Sequence, residues 1–91
     1  MKFNNMYIIS WFGDEHSEKR YEIHQRQLHW CFGASLKPVV FAQNYKENQY
    51  TDGVTYIKHT GEVKKAIHAR NILLYDFYNS DEDFAVFADN D

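Results

Sequence analysis

Two carboxylates one residue apart, Asp89 and Asp91, stand at the end of the sequence and directly follow the apolar run Phe84–Ala88. Carboxylate oxygens suit hard divalent cations such as Mg²⁺ or Mn²⁺, which often carry phosphorylated ligands. Open α/β sheets bind ligands at the carboxyl ends of their strands. If the apolar run is a buried strand, the two acids would stand where a cation and a phosphorylated ligand bind.

A second interpretation of the same acids is structural. Asp89 and Asp91 lie close in sequence to Asp81, Glu82 and Asp83. The whole group then forms an acidic, solvated tail that keeps this end of the protein soluble. The sequence leaves both interpretations open.

The other chemically capable residues form no catalytic motif. His24 and His29 are five positions apart, which does not place them on one helix face, and all five histidines are expected to be ordinary surface residues. The four glycines are isolated and form no phosphate-binding loop. No serine or cysteine occupies a nucleophile motif, and Cys31 is expected to be a small core residue. No catalytic residue is therefore assigned.

Length and composition limit the class of protein. The 91 residues suffice for one small domain, and the 44% of hydrophobic residues argues against disorder. The formal net charge is −3 and no basic stripe is present, which argues against a nucleic-acid backbone as the main partner. A single cysteine fits a reducing, cytoplasmic setting. No apolar run approaches the length of a membrane span.

Apolar runs and helical periodicity predict the elements that would position the two acids. Strands are predicted at residues 6–12, 39–42, 54–58 and 84–88, and helices at residues 17–32 and 63–79. Ser17 is a plausible N-cap, and Gly33 a plausible terminator, of the first helix.

The alternation of strands and helices predicts an α/β fold. We expect a small, mainly parallel sheet of about four strands flanked by two helices, doubly wound and Rossmann-like. The side chains expected to face the core are Tyr21, Leu28, Cys31 and Phe32 on the first helix, and Ile67, Leu74 and Tyr78 on the second. Residues 1–91 would form a single domain.

The carboxyl-terminal part of the sequence resembles the donor-binding, N-terminal portion of a GT-A-type nucleotide-sugar glycosyltransferase. The residues that carry the resemblance are Gly61, Ala69-Arg70-Asn71, Ser80, Asp83-Phe84 and the apolar strand that ends in Asp89-Asn90-Asp91. The resemblance covers most of the chain in outline, but only the part after Gly61 in motif. It implies that the Rossmann-like sheet is half of a GT-A fold.

The resemblance also implies roles for individual residues. The side chains that would contact the donor are Ser10, Trp11, Phe12, Gln43, Arg70, Asn71 and Asp89. Asp89 and Asp91, the Asp-x-Asp (DxD) motif, would hold a Mn²⁺ or Mg²⁺ ion that bridges the donor diphosphate. Alternatives remain for two of these residues, because Arg70 also suits a surface ion pair and Trp11 also suits the core.

The function implied by the resemblance is metal-dependent binding of a nucleotide-sugar donor. The acceptor half of such an enzyme has no counterpart in the 91 residues, so the chain alone is expected to be inactive. The alternative is a small non-catalytic interaction, inhibitor or assembly protein that uses an exposed sheet edge. Strand 84–88 would be that edge, available for self-association or for docking a partner.

Overall fold

The protein was analysed as a computed structural model that describes residues 4–13 and 15–89, without the side chain of Asp89. Its four strands are β1 (Asn5–Ser10), β2 (Lys37–Gln43), β3 (Thr55–His59) and β4 (Val86–Asp89). Its two α-helices are α1 (Ser17–Gly33) and α2 (Ala66–Tyr78), and a short 3-10 helix spans Glu47–Gln49. Within the described ranges, neither α-helix is long and apolar enough to cross a lipid bilayer.

The four strands form one sheet in the order β3-β2-β1-β4, and every neighbouring pair is parallel. Tyr7 in the centre of β1 pairs with Val39 of β2 on one side and with Phe87 of β4 on the other. This arrangement confirms the predicted α/β fold with a small parallel sheet and two helices. Along the chain, β2 and β3 are added on one side of β1, and β4 is then added on the other side of β1.

The two helices cover opposite faces of the sheet because alternate residues of a strand point to opposite sides. Tyr7, Ile9 and Phe41 form one buried cluster with Ala69 and Leu73 of α2. The other cluster consists of Ile8 and Val40 of the sheet with Leu28 and Cys31 of α1. Cys31 is fully buried, as expected for a small core residue.

The boundaries of the outer strand differ from those predicted. β4 begins at Val86 rather than Phe84, whose side chain remains 49% exposed. The segment before β4 contacts the start of β1 through a side chain and not through strand pairing. The Glu82 carboxylate accepts the backbone N–H of Asn4 at 3.1 Å. β1 likewise ends at Ser10, so that Trp11 and Phe12 leave the strand.

The predicted buried face of α1 is partly wrong. His16 occupies the N-cap position and makes no side-chain cap bond, so Ser17 is the first helical residue rather than the cap. Leu28 is buried as predicted, but Phe32 is 44% exposed. His24 is buried in its place, because residues 24, 28 and 31 share one face at helical spacing.

The predicted buried face of α2 is wrong. Ile67 and Tyr78 are 66% and 72% exposed, whereas Ala69 and Leu73 are fully buried. The small side chain of Ala69 allows the helix to lie close to Tyr7 and Phe41 of the sheet. That contact turns the neighbouring large residues toward solvent. The helix also starts later than the predicted residue 63, at Ala66, with Lys65 at its N-cap position.

Candidate ligand-binding site

A cleft of about 290 Å³ lies where β1 and β2 end. Trp11, Phe12 and Gly13 form the wall that follows β1, and Gln43 and Asn44 form the wall at the end of β2. Ser17, Lys46, Gln49 and Val63 complete the lining. The cleft therefore stands at the carboxyl edge of a parallel sheet, where α/β proteins bind ligands.

The wall after β1 is aromatic. The indole of Trp11 folds over Gly13 so closely that a Cβ on Gly13 would lie 2.5 Å from the Trp11 Nε1 atom. Phe12 is almost fully buried, with its ring centroid 5.4 Å from that of Tyr21 and 4.7 Å from that of Tyr45. Trp11 is thus the ring that a ligand in the cleft can reach, and Phe12 supports the wall from beneath.

Two amides at the end of β2 clamp the loop that leads into α2. Gln43 accepts the N–H of Lys64 on its Oε1 at 2.7 Å and donates from Nε2 to the Lys64 carbonyl at 3.4 Å. Asn44 makes the same paired contact with Gly61, with both distances 2.8 Å. The clamp fixes the loop on which Val63 lines the cleft. Gln43 therefore borders the cleft with its side-chain amide engaged by the backbone.

The backbone at the clamp takes conformations that suit the residues found there. Asn44 has φ +53° and Gly61 has φ +115°. Asparagine tolerates the left-handed region better than most residues, and glycine adopts it freely. The contact of Asn44 with Gly61 was not predicted from the sequence. An asparagine directly after a strand, with an isolated glycine before the next helix, was the signal for the clamp.

Ser10 lies beneath the cleft rather than in its wall. Its side chain is buried, and its hydroxyl is hydrogen-bonded to the hydroxyl of Tyr45. Burial raises the pKa of Tyr45, and the neighbouring Tyr56 and Tyr50 raise it further. The Ser10–Tyr45 pair is therefore a neutral contact that fixes the end of β1 against the β2–β3 connection.

His24 also lies beneath the cleft, contrary to its expected place on the surface. The ring is fully buried, with its centroid 5.4 Å from that of Phe12 and 6.3 Å from that of Tyr45. Among residues 4–13 and 15–89, neither ring nitrogen makes a hydrogen bond of normal geometry, although the Gln27 side chain is close enough to interact with the ring. Burial lowers the pKa of His24 to about 4, with a smaller opposing effect of the Gln27 side chain. The ring is therefore neutral at physiological pH.

The cleft combines an aromatic surface with positive charge. Lys46 lines it, and its backbone N–H donates to Gln49 Oε1 at 2.7 Å, which fixes the turn that carries the side chain. Ser17, another lining residue, opens α1, whose exposed backbone N–H groups favour anions. A planar ring and an anionic group in one ligand would both find complementary groups here.

The predicted acidic site lies only partly within the described chain. The backbone of Asp89 pairs with Ile9, one residue before Ser10, so β4 ends at the same edge of the sheet as β1. The side chain of Asp89 and the whole of Asp91 lie outside the described residues. Within those residues, no three His, Cys, Asp or Glu side chains converge on a metal position.

The remaining predicted site residues are on α2. Arg70 and Asn71 are exposed and lie in the second turn of that helix. Neither lines the cleft. The structure thus brings Trp11, Phe12 and Gln43 together, with Ser10 below them, and does not bring Arg70 and Asn71 into the same wall.

Comparison with known proteins gives no further information about the family. No protein-family model, no curated protein and no solved structure matches the chain. The resemblance to GT-A glycosyltransferases therefore depends on the motif residues alone, and a function has to be argued from the fold and the cleft.

Proposed function

We propose that the protein is a donor-binding domain of GT-A glycosyltransferase type, which binds a nucleotide sugar and a divalent cation at the carboxyl edge of its sheet. The observation that carries the proposal is the pairing of β4 with β1, with Asp89 opposite Ile9. It puts the strand that leads into the Asp-x-Asp motif beside the strand that leads into the cleft.

The strand order supports a ligand site at this edge. In the order β3-β2-β1-β4, the chain leaves β1 toward β2 on one side, and β4 lies on the other. Helix α1 covers one face and α2 the other. Connections that diverge in this way leave a crevice at the carboxyl ends of β1 and β4, the kind of position where open α/β sheets bind nucleotides.

The composition of the cleft supports a nucleotide as the ligand. The exposed part of the Trp11 ring offers a stacking surface for a base, and such stacking contributes roughly 1–3 kcal/mol. Lys46, another lining residue, supplies positive charge for a phosphate. The clamp by Gln43 and Asn44 ties the loop before α2 to the end of β2.

The proposed cation ligands are Asp89 and Asp91. Two carboxylates supply the hard oxygen donors that Mn²⁺ and Mg²⁺ prefer. An ion held by Asp89 and Asp91 would supply positive charge against the diphosphate leaving group of the donor. The chain's own residues bind and orient the donor, and the proposal assigns them no step on an acceptor.

The alternative, a non-catalytic interaction protein, is supported by a different observation. β4 pairs with β1 on one side and has no neighbouring strand on its other side within the described chain. An open strand edge suits protein–protein pairing and needs no nucleotide. Ligand binding therefore separates the two proposals.

Thermal unfolding in the presence of ligands tests the donor-binding proposal. The protein is heated with Mn²⁺ alone, with a panel of sugar nucleotides alone, and with both together. We expect the combination to raise Tm in a concentration-dependent manner for one donor, because a ligand that binds only the native state stabilises it. Asp91→Asn should abolish that rise and leave the unliganded Tm unchanged.

The matched control is Asp52→Asn, which removes an exposed carboxylate near the start of β3, at the opposite edge of the sheet. This variant should keep the full response to the donor and Mn²⁺. Absence of a response to every nucleotide in the wild-type protein would overturn the proposal and favour the interaction protein. If Asp52→Asn lost the rise in Tm to the same extent, the rise would depend on the net charge of the protein and not on a specific site at Asp91.

A further inference from the structure

Helix α2 has apolar residues on two faces, and the sheet covers only one of them. Ala69 and Leu73 are fully buried against the sheet, whereas Ile67 is 66% exposed and Tyr75 and Tyr78 are each 72% exposed. A helix that packs on a sheet normally turns a polar face outward, and one that is apolar all round is normally buried on all sides. The residues of α2 therefore indicate that its outer face is covered by a partner.

The outer face of α2 contains a seam with the spacing of paired helices. The exposed residues of the helix are Ala66, Ile67, His68, Arg70, Asn71, Tyr75 and Tyr78, and Leu74 is half-buried. Among them, Ile67, Asn71, Leu74 and Tyr78 follow one another at intervals of four, three and four residues. These intervals place the four side chains along one line, as in two helices that pair side by side.

The seam is the same when it is followed from either end. Ile67 and Tyr78 are equally far from its midpoint, and so are Asn71 and Leu74. A two-fold axis through the midpoint would pair two antiparallel helices with Ile67 opposite Tyr78 of the second copy and Asn71 opposite Leu74 of the second copy. A single asparagine in such a seam fixes the register of the pair. The pattern therefore suits a second copy of the same helix.

The charges of α2 favour the same antiparallel arrangement. Lys64, Lys65 and Arg70 belong to the start of the helix, and residues 64–75 include no acid. Within the described chain, none of these three side chains forms an ion pair. The last turn contains Asp76 and no basic residue, and the carboxyl end of a helix carries partial negative charge. Antiparallel pairing sets the basic start of each helix against the negative end of the other.

The exposed area suffices for a weak dimer. Because a buried aromatic side chain covers about 150–250 Å², the exposed parts of Tyr75 and Tyr78 offer on the order of 300 Å² in each copy. Two copies bury about twice that area through the tyrosines alone, and the rest of the seam brings the total close to the roughly 1,000 Å² of a small specific interface. We therefore expect association at micromolar concentrations.

We propose that the outer face of α2 is the interface of a homodimer in which two α2 helices pair antiparallel about a two-fold axis between Asn71 and Leu74. Ile67 of each copy packs against Tyr78 of the other, and the lysines before each helix face the carboxyl end of the other. The dimer needs neither a nucleotide nor a cation, so its test is independent of the donor-binding proposal.

Sedimentation equilibrium of the full chain over a range of concentrations tests the interface. We expect a reversible monomer–dimer equilibrium with a Kd on the order of 10–100 μM. Ile67→Lys and Tyr78→Glu should each raise the Kd at least about tenfold, because each puts a charge into an apolar contact. Both side chains are exposed in one copy, so the Tm of each variant at low protein concentration should stay nearly unchanged.

A mixture of the two variants tests the antiparallel direction. Only when the helices run antiparallel does the lysine introduced at position 67 of one copy lie opposite the glutamate introduced at position 78 of the other. We expect the equimolar mixture of Ile67→Lys and Tyr78→Glu to associate with a Kd within about threefold of the wild-type value, because each mixed dimer retains one native contact and gains one opposite-charge pair. Parallel helices would give no such recovery.

The matched control is Trp30→Lys. Trp30 is 58% exposed on α1, which covers the opposite face of the sheet, so this variant should keep the wild-type Kd. Three results would overturn the proposal: a wild-type protein that stays monomeric up to about 1 mM, where even a weak specific contact is measurable; a mixture that associates no better than either variant alone; and a dimer that survives both substitutions. The last result would assign the contact to another surface, such as the edge of β4.

Discussion

His24 places a titratable ring in an apolar environment beneath the candidate cleft. Phe12 and Tyr45 are its aromatic neighbours, and Phe12 also lines the cleft. A protonated imidazole there would carry a buried charge, and burial accordingly lowers the pKa of His24 to about 4. The neutral ring fills the space between α1 and the wall of the cleft.

The pKa of His24 predicts a pH dependence of stability. In the unfolded chain a histidine titrates near 6.5, so the unfolded state binds the proton first as the pH falls. The free energy of unfolding should be highest above pH 6.5 and should fall between pH 6.5 and pH 4. The decrease due to His24 should be on the order of 3 kcal/mol, because each unit of difference between its pKa in the unfolded and folded states corresponds to about 1.36 kcal/mol. Urea unfolding at a series of pH values measures it.

A comparison of variants separates His24 from the carboxylates, which also titrate toward the acid end of this range. His24→Met keeps a side chain of similar size and removes the titration, so its stability should fall less between pH 6.5 and pH 4. His68→Met removes an exposed histidine of α2 and should retain the wild-type pH dependence. Parallel profiles for wild type and His24→Met would contradict the assignment.

At the level of elements, the sequence predicted which segments become strands and helices, and in which order. Runs such as Tyr7–Ile9 and Val39–Ala42 are rich in β-formers, so their strand conformation could be predicted without tertiary information. The buried face of α2 was not readable. Large apolar residues lie on every face of that helix. Which of them face the sheet is decided by the close approach of the helix that Ala69 allows.

Asn44 shows how one side chain connects elements that the sequence lists separately. It directly follows β2, donates its backbone N–H to the carbonyl of His59 in β3 at 2.8 Å, and holds Gly61 before α2 with its side chain. The loop at residues 60–65 has few other means of being held against the cleft, because most of its side chains are exposed. The position of this loop therefore depends on the clamp.

Replacing Asn44 should loosen the loop. Asn44→Gly keeps access to the left-handed conformation and removes both side-chain hydrogen bonds, so we expect a loss of about 1 kcal/mol in the free energy of unfolding. Asn44→Ala adds the cost of a left-handed alanine, about 1 kcal/mol more. Urea unfolding measures the losses, and amide exchange should accelerate at Gly61 and Lys64 in both variants.

The two substitutions distinguish the hydrogen bonds from the backbone conformation. If Asn44→Gly were as stable as wild type and Asn44→Ala were not, the conformation alone would explain the asparagine. Asn48→Ala is the matched control, because Asn48 is an exposed asparagine in the 3-10 helix of the same connection. It should leave exchange in the 60–65 loop unchanged.

At the scale of the whole molecule, only the part of the candidate site that is formed by residues at the ends of strands was predicted from the sequence. The resemblance to GT-A glycosyltransferases assigned Trp11, Phe12 and Gln43 to the donor site, and the structure brings them into one cleft. The contributions of Lys46 and Val63 were missed, because they depend on how the connections after β2 and β3 fold back over the edge. The spacing of side chains along the sequence does not show how these two connections fold over the edge of the sheet.

The sheet as a whole should be most stable at its centre. β1 pairs with β2 and β4, and β2 pairs with β1 and β3, whereas β3 and β4 each pair on one side within the described chain. Tyr7, Ile8, Val40 and Phe41 are nearly or completely inaccessible to solvent, while Thr55 and Val86 are exposed. An outer strand can detach without breaking the central pair, and detachment needs less free energy than global unfolding.

Native-state hydrogen exchange should therefore divide the sheet into two classes. Amides that bond between β1 and β2 should exchange only through global unfolding, with a strong dependence on denaturant, whereas amides of β3 and β4 should exchange faster and with a weak dependence. Because β4 leads into the Asp-x-Asp motif, a ligand held there would add stability to the outer strand first. A single exchange class across all four strands would show that β4 opens only with the core.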